Sequence, residues 1–473
     1  MKLHYQTATE SVVCLGETLA LAHTFHRYVE LHRDEPFACL LDSASEMAGL
    51  GRYSFLGASP RAVLRVKRAA DGGGTDGFVE LERRLTALAM PSDVRAQIDL
   101  PFVGGYVGYV GYDAGRYLER LPDRTRDDLA LPDLYLIQID QLLAHDHATA
   151  TTQMFTTGRG ASRQEAERDA EARHTDYRSR VLSFQPERAD ADEPRAFELD
   201  EAMSARDYEA LVEAAREHIA AGDIFQVCTS HRMSAAISGD GWSLYRQLRA
   251  RNPAPFASYL QFPELRVLSS SPERFLRLDR TGRAESRPIK GTRPRGATPR
   301  EDDALRAELS SSEKDRAENL MIVDLVRNDF GRVCALDSIR VPALMQIEAH
   351  PTVFQMVSTV SGRLASDRSA LALFRACFPP GSMTGAPKIE AMKIIESLER
   401  DKRGIYAGAI GYFDVGGGFD FSVVIRTFVV ANGRAYFNVG GAVLADSDPA
   451  AEYRETMDKA RALLDALSAH ANV

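Results

Sequence analysis

The strongest constraint on the fold lies between residues 407 and 444, where three apolar stretches are separated by Gly416-Gly417-Gly418 and by Asn432-Gly433. Stretches of this kind divided by tight-turn residues predict an antiparallel meander, with strands at 407–415, 419–430 and 435–444. Further strands are expected at 223–230, at 257–262, and over 265–269 running into 270–275. In the first third of the chain, short apolar runs at 38–43 and 51–57 and the glycine-rich segment 102–112 read as strands with bulges. Gly104 and Gly105 lie within such a run, without the strand-turn-helix context of a dinucleotide fingerprint. Helices are interleaved with these strands. Ser204 and Asp207 have capping-box spacing, Tyr208, Leu211, Val212, Ala215 and Ile219 form one apolar stripe, and Gly222 sits where the helix should stop. The mixture implies an α+β architecture.

The chain has 473 residues, 44% of them apolar and 26% charged, enough for a sizeable core. A polar, acidic stretch suggests an organisation into 1–185, a linker at 186–203, and a second region at 204–473; the glycine-rich run 71–77 is expected to be a loop. The net charge of −9 argues against general nucleic-acid or membrane-surface binding while allowing a local basic pocket. The five cysteines are scattered and never spaced C-x-x-C, so they read as buried thiols of a cytoplasmic protein. No secretory core or membrane-length apolar run occurs.

Three kinds of segment stand apart chemically. Arg287-Pro-Ile-Lys-Gly-Thr-Arg-Pro-Arg-Gly296 combines prolines, glycines and the cations Lys290, Arg293 and Arg295, and reads as a stiff loop for an anion. Two predicted helices carry acidic residues at i,i+3. In the first, Asp315 and Glu318 share a face, with Leu320, Met321 and Val323 as apolar anchors. In the second, Asp448 caps, Pro449 begins the helix, and Tyr453, Met457, Ala460, Leu464 and Leu467 form the buried stripe, leaving Glu452, Glu455 and Lys459 on another face. Carboxylates from two helices, with other positions left to water and substrate, suit magnesium. The third segment, 378–388, is rich in glycine and hydroxyls and ends in Lys388 before an apolar-periodic helix. It suits a helix amino terminus holding a carboxylate, or the floor of a site.

In order along the chain, Ser271-Pro-Glu-Arg-Phe275, Pro288-Ile-Lys-Gly-Thr292, Asp315-Arg-Ala-Glu-Asn319, Gly385-Ala-Pro-Lys388, Ile425-Arg-Thr427, Ala445-Asp-Ser447 and Glu452-Tyr-Arg-Glu-Thr456 resemble the chorismate-utilising enzymes. That group includes anthranilate synthase component I, aminodeoxychorismate synthase component I, and the isochorismate and salicylate synthases. The resemblance is dense over about 200–470 and thinner before it. It implies an anthranilate-synthase-component-I-like fold, with large antiparallel sheets packed in a sandwich and helices outside. It also implies Mg2+ held by Glu318 and Glu455, with Asp315 and Glu452 in an outer shell. Tyr406, Arg426, Gly440 and Gly441 would grip the enolpyruvyl carboxylate of chorismate, and Gly291 and Thr292 would line the ring.

Two positions sort the members. Gln226 stands where isochorismate-type enzymes carry a water-activating lysine, and Lys290 stands where anthranilate synthases typically carry alanine. A lysine there marks the aminodeoxychorismate synthases, with Lys290 as nucleophile, helped by desolvation, Arg293 or magnesium to lose its proton, and Glu273 as candidate general acid. Ammonia would come from a separate glutamine amidotransferase subunit, since no cysteine here lies in a Gly-x-Cys-x-Gly elbow. Anthranilate synthase component I is the alternative within the family, and a non-catalytic chorismate or tryptophan binder the alternative outside it. Leu41-Asp-Ser43 resembles the serine element that binds tryptophan in anthranilate synthases. Gln355 and Ala442 depart from common family residues, histidine at the first and glycine at the second.

Overall fold

A computed structural model describes the chain apart from residues 46–48, 70–72, 74, 187–197, 202, 351–352 and 472–473. Most of the expected linker and part of the 71–77 loop therefore lie outside the described residues. Two antiparallel sheets dominate, of 13 and 10 strands among the described residues. In the larger, Ala38–Asp42 from the first half pairs with Phe256–Gln261 from the second, with Ala257 opposite Asp42. In the smaller, Gly105–Val110 lies between Leu134–Ile139 and Ala409–Asp414. Both halves of the chain thus contribute to both sheets.

The glycine-rich segment forms a wholly buried strand because its neighbours leave no room for side chains on one face. A Cβ on Gly108, whose φ is +151°, would lie 2.1 Å from the carbonyl oxygen of Tyr135. Between the sheets, Phe55, Val107, Ile137, Leu260, Ile410 and Val429 share one apolar core. On the outer face of the larger sheet, Leu268, Phe428 and Phe437 meet Trp242, Leu248 and Leu463 from helices Trp242–Arg251 and Pro449–Ala471. The outer face of the smaller sheet buries Leu276, Phe413 and Phe421 against Phe78, Phe374 and Ile394. At roughly 1.5–3 kcal/mol for each large apolar side chain removed from water, these three layers carry the fold. The architecture is the expected sandwich with helices outside.

Two expected strands are each divided. Residues 419–430 form Phe419–Val423 in the smaller sheet and Thr427–Ala431 in the larger, and the chain crosses at Val424, Ile425 and Arg426. Residues 265–275 do the same in the opposite direction. Arg266–Ser271 lies in the larger sheet and Arg274–Leu278 in the smaller, with the crossing at Pro272, which has no N–H to offer a ladder, and Glu273. The crossings are tied together: Ser271 Oγ donates to the Val423 carbonyl (2.6 Å), Val423 N to the Glu273 carbonyl (3.0 Å), and Ser270 N to the Arg426 carbonyl (3.1 Å). This seam between the sheets brings Glu273 and Arg426 to the same region.

The helix after residue 204 follows its sequence signals. It spans Ala205–Ala221, the Ser204 hydroxyl accepts from Asp207 N, and Gly222 ends it at φ +84°. The two acidic helices are rotated relative to expectation. In Glu313–Gly331 the anchors are Ile322, Val323, Val326 and Phe330, while Leu320 is 47% exposed. In Pro449–Ala471 the buried row runs Glu452, Thr456, Ala460, Leu463 and Leu467, leaving Met457 and Leu464 only partly covered. The apolar stripe is overridden because the helix turns a carboxylate inward.

Candidate active site

The segment expected to be an anion loop is a strand, Ile289–Pro294, paired with Val353–Arg363. Gly291 bulges it at φ +76°, where a Cβ would lie 2.8 Å from Asp315 Cγ. Of its four cations, Arg287 pairs with Glu348 and Lys290 turns toward the site. Arg293 is paired with Glu308 (2.9 Å) and Asp315 (3.0 Å), and Arg295 with Asp302 (2.6 Å) while lying over the Phe354 ring. The basic character noted in the sequence is thus largely internal ion pairing. Asp315 is the counter-ion of Arg293, and Thr292 is exposed. Lys388 likewise holds Asp329 and the Cys377 carbonyl, both at 2.7 Å, in place of an external carboxylate.

Lys290 Nζ lies 3.5 Å from the Ser382 carbonyl and 4.0 Å from Glu318 Oε2. Burial alone would lower its pKa, but the Cys228 sulfur and the carboxylates of Glu318, Glu273 and Glu455 outweigh burial and raise it. The amine therefore rests as an ammonium, opposite to the activation expected from its neighbours, and Arg293 is occupied elsewhere. Glu273 is 6% exposed, and burial pushes its carboxyl up to about 7 against the Ser382 hydroxyl, Lys290 and the Ile289 amide, which favour the charged form. Near neutral pH it is poised between acid and carboxylate.

The acidic helices meet. Lys314 of the first is 3.4 Å from Glu452 of the second. Burial raises the Glu318 carboxyl above its ordinary range in spite of Lys290 and Lys314, and Glu455 adds to the rise. The Glu455 side chain is 46% exposed; partial desolvation works the same way on it, but Lys459, at 2.7 Å, together with Lys314 and Lys290, holds that carboxyl low. Lys459 also donates to the Gly440 carbonyl (3.0 Å). Glu452 is 2% exposed; its Oε1 accepts from Ser447 Oγ (2.7 Å), while its Oε2 is buried without a hydrogen-bond partner among the described residues. That oxygen lies 3.0 Å from where a Cβ on Gly441 would sit.

No three Asp, Glu, His or Cys side chains among the described residues converge as a complete metal cage. Glu318, Glu455, whose charge the Glu318 carboxyl feels, and Glu452, with one unsatisfied carboxylate oxygen, all act on Lys314 and are nevertheless an oxygen donor set that fits magnesium, which keeps waters and binds through one or two carboxylates.

Arg426 has a left-handed backbone (φ +52°), and among the described residues its guanidinium has no carboxylate partner. Burial lowers its pKa, with only the Tyr406 phenol opposing. A partly buried cation lacking its counter-ion is suited to receive an anion. Tyr406, whose phenol burial raises, stands beside it. Gly440 pairs with Ser230, and its Cβ would meet the Thr229 carbonyl oxygen at 2.2 Å. Gln226 is fully buried with both amide atoms unpartnered among the described residues, and Gln355 has its Oε1 in the same condition.

Sequence reasoning missed Ser382, Lys314, and the buried pair Glu399–Arg403. The i,i+4 spacing of that pair and the hydroxyl-rich 378–388 segment were the available signals. A separate cavity of about 310 Å3 opens around Leu41, Asp42 and Ser43 between the sheets, bounded also by Arg274 and Tyr412.

A profile of chorismate binding enzymes matches residues 38–465. An aminodeoxychorismate synthase of Streptomyces pristinaespiralis is 41% identical, covering 99% of this chain, which spans only 66% of that relative's length. Anthranilate synthase component 1 of Mycolicibacterium smegmatis is 38% identical over 94% of this chain and 88% of its own. The crystal structure of anthranilate synthase component I from Streptococcus pneumoniae superposes with a TM-score of 0.76 at 31% identity, covering 87% of this chain and 92% of that one. A match of this extent, on a chain whose sheet seam and acidic helices converge on Lys290, leads to one conclusion: the protein belongs to the chorismate binding enzyme family.

Proposed function

We propose that the chain is an aminodeoxychorismate synthase, converting chorismate and ammonia to 4-amino-4-deoxychorismate and water on the route to para-aminobenzoate and folate. The observation that carries this reading is Lys290, an amine 4.0 Å from Glu318 Oε2 at the position where anthranilate synthases typically have alanine. The Lys290 amine bonds to ring carbon C2, the ring double bonds shift, and the C4–O bond breaks as Glu273 delivers the proton that lets water leave. Ammonia then bonds to C4, the lysine–C2 bond breaks, and the protons released at nitrogen restore Glu273 and Lys290.

An ordinary ammonium near pKa 10.4 is neutral in only about one molecule in a few thousand at pH 7. Neutralising Glu318 and Glu455 removes two of the charges that hold the Lys290 proton, so that burial, which favours its release, is opposed only by the Cys228 sulfur and Glu273 among the groups named above. Magnesium bound by those two carboxylates would supply this neutralisation and anchor the ring carboxylate. Arg426 and Tyr406 orient the enolpyruvyl carboxylate, with the Gly440–Gly441 backbone beside it. Asp315 and Glu452 support the cluster through Arg293, Ser447 and Lys314.

Ammonia is supplied by a glutamine amidotransferase partner in the cytoplasm. The names of the component 1 relatives, and the third of the Streptomyces relative that this chain does not span, support a second functional unit. No helix among the described residues is long and apolar enough to cross a membrane.

Anthranilate synthase component I is the second reading, favoured by the similar identity of that relative. Chorismate, magnesium and ammonium supplied to the purified chain separate the two. A non-fluorescent amino-diene without pyruvate supports the proposal, and fluorescent anthranilate with pyruvate rejects it. Ligand binding without turnover would point to a non-catalytic chorismate or tryptophan binder.

A further inference from the structure

Beside Tyr406 lies a buried ion pair to which the proposed chemistry assigns no part. Arg403 (5% exposed) and Glu399 (8%) form a two-pronged contact, Nε to Oε2 at 2.9 Å and Nη2 to Oε1 at 2.6 Å. The remaining donors of Arg403 hold backbone: Nη1 reaches the Met383 carbonyl and Nη2 the Cys228 carbonyl, both at 2.7 Å. Glu399 Oε1 also accepts from Ser230 N (2.8 Å) and Ser230 Oγ (3.0 Å). The guanidinium lies 4.7 Å from the Tyr112 ring centroid and 6.0 Å from that of Tyr406. One side chain therefore fastens the 3-10 turn Gly381–Met383 to strand Gln226–Ala236, next to Tyr406.

That turn carries Ser382. Ser382 and Glu273 line one cleft, where the hydroxyl favours the charged form of the carboxyl, and the Ser382 carbonyl accepts from Lys290 Nζ (3.5 Å) and Cys228 Sγ (3.1 Å). We propose that Arg403, clasped by Glu399, is a positioning residue that acts through Ser382 to hold the Lys290 amine and the Glu273 carboxyl in register for their two halves of the reaction. The inference rests on the proposed roles of those two groups. A shift of the turn by about 1 Å misplaces both groups at once, and misplacement of that size costs on the order of 10²-fold in rate.

The test compares Arg403→Lys, Ser382→Ala and the double variant for chorismate consumption with magnesium and ammonium across pH. Lysine keeps the charge but cannot bridge Glu399 and both carbonyls. Expected for Arg403→Lys is a kcat lower by about 10- to 100-fold with KM changed less than about threefold. The high-pH limb of kcat/KM should also move upward, because Glu273 loses the Ser382 hydroxyl that favours its charged form. The other charged groups near Glu273, namely Lys290, the adjacent Arg274 with its partners Asp420 and Glu285, and Asp329 of the same cleft with its partner Lys388, are retained. Ser382→Ala should move the limb in the same direction, and the double variant no further than the larger single shift.

An unmoved limb in folded Arg403→Lys, additive shifts in the double variant, or a rate loss matching the loss of folded protein would overturn the proposal. If Arg403→Lys does not fold, Glu399→Gln, which keeps the shape and removes the counter-charge, takes its place with the same expected and overturning outcomes. The product is identified in the same assay, so formation of anthranilate would reject the functional reading separately from the positioning role.

Discussion

Arg426→Met isolates the claim that an uncompensated cation awaits the substrate carboxylate. In the free protein this guanidinium has no carboxylate partner among the described residues, and burial disfavours its charge. Its removal therefore breaks no ion pair and relieves a desolvation cost, while methionine keeps an unbranched stem at φ +52°. Stability should hold within about 1 kcal/mol or rise, since an exchange to an apolar side chain of similar shape at such a site is often neutral or favourable. Substrate recognition should suffer heavily. A paired charge of this kind contributes roughly 2–5 kcal/mol when truncated. At 1.4 kcal/mol per tenfold, a central value of about 3.5 kcal/mol is roughly 300-fold in kcat/KM. Thermal melting of the free chain and initial rates of chorismate consumption read the two quantities independently. A variant that loses more than about 2 kcal/mol of stability, or retains kcat/KM within threefold, refutes the reasoning.

Glu273 acts in its protonated form, so with a carboxyl pushed up to about 7 the activity should decline as pH rises through that value; Glu273→Gln should lose most of kcat and with it that limb. Gly291→Ala forces a Cβ into Asp315 and Leu309 at a left-handed φ and should destabilise by about 2–4 kcal/mol in urea melts, whereas a neutral result would mean the bulge tolerates a side chain. Glu318→Gln should raise the magnesium concentration needed for half-maximal rate by tenfold or more, and an unchanged requirement would remove Glu318 from the metal site.

Much of the fold could be read from local signals that agree with one another. The Ser204 cap, the Gly222 stop and the Asn432-Gly433 turn each specify a backbone conformation, and the structure adopts them. The two strand crossings were not legible, because 265–275 and 419–430 each read as one continuous strand-like run, and only Pro272 in the first breaks a ladder locally. Those crossings nonetheless set Glu273 and Arg426. The inward turn of Glu452 was hidden for a related reason: helical periodicity favoured Met457 and Leu464, and only the packing of the helix against Gly441 and Ser447 shows why a carboxylate displaces them. The cations of 287–296 looked alike in sequence. The partners of Arg293 and Arg295, Glu308, Asp315 and Asp302, lie on neighbouring helices, that of Arg287, Glu348, lies on strand Arg340–Ala349, and the structure separates Lys290 from the arginines.

Covalent capture at Lys290 is the claim on which the functional account turns. Intact-mass and peptide-mapping spectrometry after chorismate and magnesium are supplied without ammonia should find an adduct of chorismate less one water on Lys290. It should disappear on addition of ammonium and be absent from Lys290→Ala. Turnover to the amino-diene with no adduct at any time point, or with undiminished rate in Lys290→Ala, would contradict the account.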